Sequence, residues 1–147
     1  MKDNFLTQQD SIKFLAEQYH LKFVVVFGSA ALGALRKGSD LDVAVLHKNH
    51  IALPAKDFFN LMNAFGDSIG KGFEKVDLVD IASANILLRY EITLRGKLLL
   101  GDQAAYSEYC TRSFKEYIDG KSLRDLERDL IAKRQQILKE KLASAPL

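Results

Sequence analysis

Two short apolar runs and the polar residues between them decide what this chain can build. Phe23-Val24-Val25-Val26-Phe27 is unbroken, β-branched and aromatic, and is closed by Gly28-Ser29; ten residues later Asp40-Leu41-Asp42 opens a second run through Leu46. Runs of this length and composition, bounded by glycine, specify buried strands. After the first strand, Ser29 stands ahead of an Ala- and Leu-containing stretch, Ala30 to Leu35, where a serine caps a short helix. The first N–H groups of such a helix have no internal partner and attract anions. A phosphate placed there would meet N–H donors and the Ser29 hydroxyl, with Gly28 permitting close backbone approach.

The second strand starts from a Gly38-Ser39 turn, and its acids are two residues apart. Side chains at i and i+2 share a face, so Asp40 and Asp42 point together, with Cα atoms on the order of 6 to 7 Å apart, and Leu41 and Val43 point the other way. Two carboxylates so placed can hold Mg²⁺, which takes oxygen ligands and leaves positions for water and phosphate. A polar strand end would show the same Asp-x-Asp spacing.

A third acid lies in Lys75-Val76-Asp77-Leu78-Val79-Asp80-Ile81, a further strand pattern. Asp77 is flanked by Val76 and Leu78 and points to the face opposite theirs, where a carboxylate calls for a cation or a donor. Asp80 falls on the other face of a regular strand and reads as a polar strand end or a cap for the next segment; a bulge would reverse the choice.

The pattern G-S-x10-D-x-D followed by a hydrophobic-Asp-hydrophobic strand resembles the minimal nucleotidyltransferases (MNT) of the DNA polymerase β superfamily. The similarity continues through Leu87-Leu88-Arg89-Tyr90-Glu91-Ile92 and Arg95-Gly96-Lys97-Leu98-Leu99-Leu100, covering most of residues 20–102. The resemblance implies an α/β fold, a small mixed sheet flanked by helices, and transfer of a nucleoside monophosphate from ATP or another NTP to an acceptor, with pyrophosphate leaving. It assigns Gly28 and Ser29 to the triphosphate, Asp40 and Asp42 to the metal ions, and Asp77 to the metal site nearest the acceptor. Two Mg²⁺ ions would then stabilise both ends of an in-line displacement. One departure stands out: the common family pattern G-S-x-A-R-G is here Gly28-Ser29-Ala30-Ala31-Leu32-Gly33, with leucine in place of arginine. Arg36 and Lys37 come shortly after and read as solvated loop charges.

Within that family the chain looks most like the MNT antitoxins, which are paired with HEPN-domain RNase toxins. This implies AMP transfer from ATP to a tyrosine hydroxyl of the toxin. Two rivals remain open: an adenylyltransferase of a small hydroxylated molecule such as an aminoglycoside, and an antitoxin that neutralises its toxin by binding alone.

Composition agrees with one compact domain over residues 1–147, with a core at about 20–102 and a C-terminal helical part at about 103–142. The chain is 48% hydrophobic and 27% charged, enough for one buried core. Its net charge of +2 is far from the concentrated positive stripe of nucleic-acid binders, so nucleic acid is not expected as a direct ligand. Neither a membrane-length apolar run nor a signal-like leader is seen, and a cytoplasmic protein is the default. Cys110, set among Tyr106, Tyr109 and Phe114, reads as a packing residue, and His20, His47 and His50 as loop residues rather than a zinc set.

The remaining pattern predicts a helix over 7–19, one from Pro54 to about Gly70, one capped by Ser83 and running through Leu94, a short strand over 97–100, and a helix starting at Asp102. Leu123, Leu130 and Ile137, with Leu126, Ile131, Leu138 and Leu142, make the segment from Lys121 to Leu142 an amphipathic helix. Such a stripe packs on its own domain or docks a partner.

Overall fold

A computed structural model describes residues 2–33 and 38–146, with side chains from residue 8 onward in the first helix. The order is α1 (Lys2–Gln18), β1 (Leu21–Phe27), α2 (Gly28–Ala31), β2 (Leu41–His47), α3 (Ala55–Ile69), β3 (Val76–Asp80), a 3₁₀ turn (Ile81–Ser83), α4 (Ile86–Arg95), β4 (Lys97–Leu100), α5 (Gln103–Asp119) and α6 (Lys121–Ala143). The strands form one mixed sheet in the order β3-β2-β1-β4. β1 runs antiparallel to β2 and β4, and β2 runs parallel to β3.

Both faces of the sheet are covered, which is why β1 is apolar from Phe23 to Phe27. Val24, Val43 and Val45 pack with Ile12 and Leu15 of α1 and Leu61 and Phe65 of α3. Phe23, Val25, Ala44 and Leu46 pack with Ile81, Ile92 and Tyr106 on the other face. Phe65 and Ile92 are fully buried, and each such side chain contributes roughly 1.5 to 3 kcal/mol by leaving water. Cys110 packs against the second cluster, where burial pushes its thiol pKa up, away from nucleophilic use. His20 and His50 are surface residues, and His47 ends β2.

Two expected caps fall elsewhere. α4 starts after Asn85, whose Oδ1 accepts from Leu88 N at 2.9 Å; Ser83 belongs to the preceding 3₁₀ turn. α2 starts directly after Phe27 and has no side-chain cap, so Ser29 lies inside its first turn. A single turn of four residues carries little macrodipole. Asp102 caps α5 as expected, accepting from Ala105 N at 2.8 Å.

The terminal helix is formed, but its apolar stripe is not covered within the described residues. None of α6 is buried, and Leu123, Leu130, Ile137 and Leu142 are all more than half exposed, Leu142 at 77%. Among the described residues no helix is long and apolar enough to cross a membrane.

Candidate functional site

Register places the acids. Phe27 pairs with Asp42 across β1 and β2, and Asp42 pairs with Asp77 across β2 and β3, so the three stand in one row over three strands. Adjacent strands lie about 4.8 Å apart, which brings the Asp42 and Asp77 carboxylates close. Asp40 lies one residue before β2 begins rather than within it. It still joins the group: Lys75 Nζ is 3.7 Å from Asp40 Oδ2 and 3.4 Å from Asp77 Oδ1.

No bulge interrupts the pairing of β2 with β3 from Leu41–Val76 to Val45–Asp80. Asp77 is therefore the acid beside Asp42, while Asp80 is buried and structural. Its Oδ2 accepts from Leu53 N at 2.7 Å and its Oδ1 from Ala82 N at 3.1 Å. It thereby ties the end of β3 to the chain entering α3 and caps the 3₁₀ turn.

Gly28 completes the cluster from the β1 side. Its φ is +67°, in the left-handed region, and a Cβ there would lie 2.2 Å from Asp42 Oδ2. The turn after β1 thus rests directly on the Asp42 carboxylate, which only glycine allows. Burial first, and then the charges of Asp77 and Asp40, raise the Asp42 pKa above the usual carboxylate range, with Lys75 opposing.

Lys75 is the residue that sequence reasoning passed over. It stands two residues before Asp77, on the same face of the chain, and that i, i+2 spacing was the available signal. The hydrogen bond to Asp77 and its charge, then the charge of Asp40, raise the Lys75 pKa although the side chain stays 61% exposed. Leu32, where the family commonly has arginine, is exposed. Arg36 and Lys37 lie outside the described residues.

As these side chains stand, no group of three or more His, Cys, Asp or Glu among the described residues is arranged to hold a metal ion. The Lys75 ammonium lies where a cation between Asp40 and Asp77 would. The donors are hard carboxylate oxygens, and what crowds them is one flexible, solvated lysine, so the residues fit a divalent cation completed by phosphate oxygens and water. A direct consequence is competition. Lys75→Met is expected to tighten Mn²⁺ binding several-fold in a nucleotide-free calorimetric titration, because like charges about 4 Å apart repel measurably even in water. Unchanged or weaker binding would show that the ammonium does not compete.

Residues 9–105 match the family described as Polymerase beta, Nucleotidyltransferase. The chain is similar to protein adenylyltransferase MntA of Shewanella oneidensis, with 26% identity over 140 residues, covering 95% of this chain and 90% of the relative. Among solved structures it resembles a toxin-antitoxin crystal structure with AMP-PNP, at a TM-score of 0.63 and 25% identity, over 91% of this chain and 98% of that one. It also shares the fold of a complex of tri-AMPylated Shewanella oneidensis HEPN toxin with MNT antitoxin, at a TM-score of 0.57 and 23% identity, over 92% and 96% of the two chains.

Proposed function

The chain belongs to the polymerase beta nucleotidyltransferase family, and on that premise we propose that it is a Mg²⁺-dependent protein adenylyltransferase. It moves AMP from ATP to a tyrosine hydroxyl of a partner HEPN RNase toxin, and so acts as the antitoxin. It works in the cytoplasm as one nucleotidyltransferase domain, with its core at about 20–102 and a C-terminal helical part at about 103–142.

The observation that carries this reading is the row Phe27–Asp42–Asp77 with Gly28 at one end and Asp40 alongside. Asp40, Asp42 and Asp77 are the residues that would hold two Mg²⁺ ions, whose chemistry there would be to neutralise charge developing on the reacting oxygens. Gly28 lets the triphosphate approach the backbone, and Ser29 donates its hydroxyl to a phosphate oxygen. Asp77 orients the acceptor hydroxyl. Its oxygen bonds to the α-phosphorus, the bond from that phosphorus to the pyrophosphate oxygen breaks, and the hydroxyl proton passes to solvent.

The nearest support for the acceptor is the adenylyltransferase relative at 26% identity and the toxin-antitoxin structure with AMP-PNP at 25%. The uncovered apolar side of α6 gives a protein partner a surface on which to seat. An AMP group on the toxin adds bulk and negative charge where RNA phosphates must bind, which blocks a nuclease.

The test is an intact-mass measurement of the HEPN protein after incubation with this chain, ATP and Mg²⁺. A gain of AMP units on the toxin is the expected result. A stable complex with no gain in mass would replace this reading with an antitoxin that acts by binding, and a gain only on an added aminoglycoside would replace it with a small-molecule enzyme.

A further inference from the structure

Within the described residues, α6 stands apart from the body of the fold. None of its residues is buried and none joins either core cluster, while its first turn is tied back to α5. Arg124 donates to Tyr117 O and lays its guanidinium over the Tyr117 ring, 4.2 Å from the centroid. Tyr117 in turn stacks on Tyr90 of α4, with ring centroids 4.0 Å apart and planes at 6°. Gly120 makes room for that guanidinium: a Cβ there would lie 2.7 Å from Arg124 Nη1. The bend between α5 and α6 is thereby held, and the rest of α6 is presented with its apolar side bare.

That side carries a definite charge pattern. Leu123, Leu126, Leu130 and Ile131 line a groove of about 460 Å³ together with Glu127 and Arg134, and the four apolar residues are all more than half exposed. Glu127 and Arg134 are seven residues apart, two turns and about 10 Å along the axis. The midpoint between them falls between Leu130 and Ile131. Turned end for end about that midpoint, a second α6 presents Arg134 to Glu127, Ile131 to Leu130 and Leu138 to Leu123. Laid parallel in register, the same face would set Glu127 against Glu127 and Arg134 against Arg134. Charges along an apolar seam select partner and direction, and here they select an antiparallel copy.

We propose that the free chain pairs with a second copy of itself through α6, as an antiparallel helix pair with Glu127 of each copy against Arg134 of the other. Such a contact is isologous and closed, since the same patch is used on both copies. α6 is 23 residues long, so the two domain bodies lie toward opposite ends of the pair, with the starts of the helices about 30 Å apart. None of the residues placed in the active site belongs to the contact, and the pairing is independent of the adenylyltransferase reading. A toxin seated on this side of α6 takes the place of the second copy, so the two compete for one surface.

Sedimentation equilibrium of the full chain at micromolar concentration, without nucleotide or partner, is expected to give a dimer of twice 16.5 kDa. Glu127→Arg and Arg134→Glu each set like charges against one another across the pair and should weaken dimerisation at least tenfold. Both substitutions place a good helix former at an exposed position, so folding is kept, as circular dichroism checks. The double variant Glu127→Arg/Arg134→Glu restores the opposition and should dimerise within about threefold of the parent. A parent that stays monomeric overturns the pairing and leaves the stripe to the HEPN partner. A dimer that neither single variant weakens, or that the double variant does not restore, overturns the antiparallel contact through these two residues.

Discussion

Asp42→Asn is expected to lower AMP transfer on the order of a thousandfold, because a carboxylate that ligates catalytic metal supplies several kcal/mol of transition-state stabilisation. Stability should move the other way. Burial, with the charges of Asp77 and Asp40 next, raises the Asp42 pKa in the folded chain, so folding favours its protonated form. For a raised carboxylate, the contribution to stability is present below the unfolded-chain pKa and is lost as pH rises through the folded value. At pH 7 the ionised Asp42 is thus a net cost when no metal neutralises it, and an amide of the same shape removes that cost.

In EDTA-containing buffer at pH 7, Asp42→Asn should therefore melt at or above the parent temperature. The difference should shrink as the pH is lowered through the acid range, where protonation neutralises Asp42 itself. Adding Mg²⁺ and ATP should reverse the order, since only the parent then gains a ligand. Transfer rates by intact mass and melting curves by circular dichroism check both halves. Transfer by Asp42→Asn within tenfold of the parent would remove Asp42 from the chemistry.

The range of the forces involved sets how much of the fold and site was legible in the sequence. β1, β2 and β3 were readable because a strand covered on both faces has to be apolar along its length, and 23–27, 41–46 and 76–79 are largely so, with acids only where the site lies. The two-residue period put Asp77 and Asp80 on opposite faces but left a bulge free to reverse the choice, and only the register shows that the pairing of β2 with β3 is unbroken. The helix caps were less legible. Ser29 and Ser83 had the right chemistry, but Asn85 sits where the chain leaves the 3₁₀ turn, and Gly28 begins α2 because its left-handed backbone bends the chain there. Lys75 was hidden for a different reason: its stem could have carried the ammonium in any direction, and only the juxtaposition of the loop before β2 with β3 brings Asp40 and Asp77 to it. The exposure of the α6 stripe was likewise undetermined, because periodicity gives a face and not what covers it.

Gly28→Ala is expected to be the second most damaging change, and its two effects can be separated. The backbone at Gly28 has φ of +67°, where an L-residue costs about 1 to 2 kcal/mol. That strain lowers stability wherever it occurs. Gly72, at φ +89° with nothing within 4 Å of a Cβ, carries the strain without a neighbour, so Gly72→Ala should show a similar loss of stability and near-parent transfer. At Gly28 the new methyl would also meet Asp42 Oδ2 at 2.2 Å and Cγ at 3.2 Å. Relief requires the carboxylate to move by about 1 Å or more, and a displacement of that size in a reacting assembly costs on the order of a hundredfold in rate. The pair therefore distinguishes a turn that merely folds from one that seats a catalytic acid. If Gly28→Ala and Gly72→Ala lose stability alike and both transfer AMP at the parent rate, the turn does not position Asp42. If only Gly28→Ala loses transfer while its melting temperature matches that of Gly72→Ala, the close packing of Gly28 on Asp42 fixes the geometry of the metal-binding carboxylate.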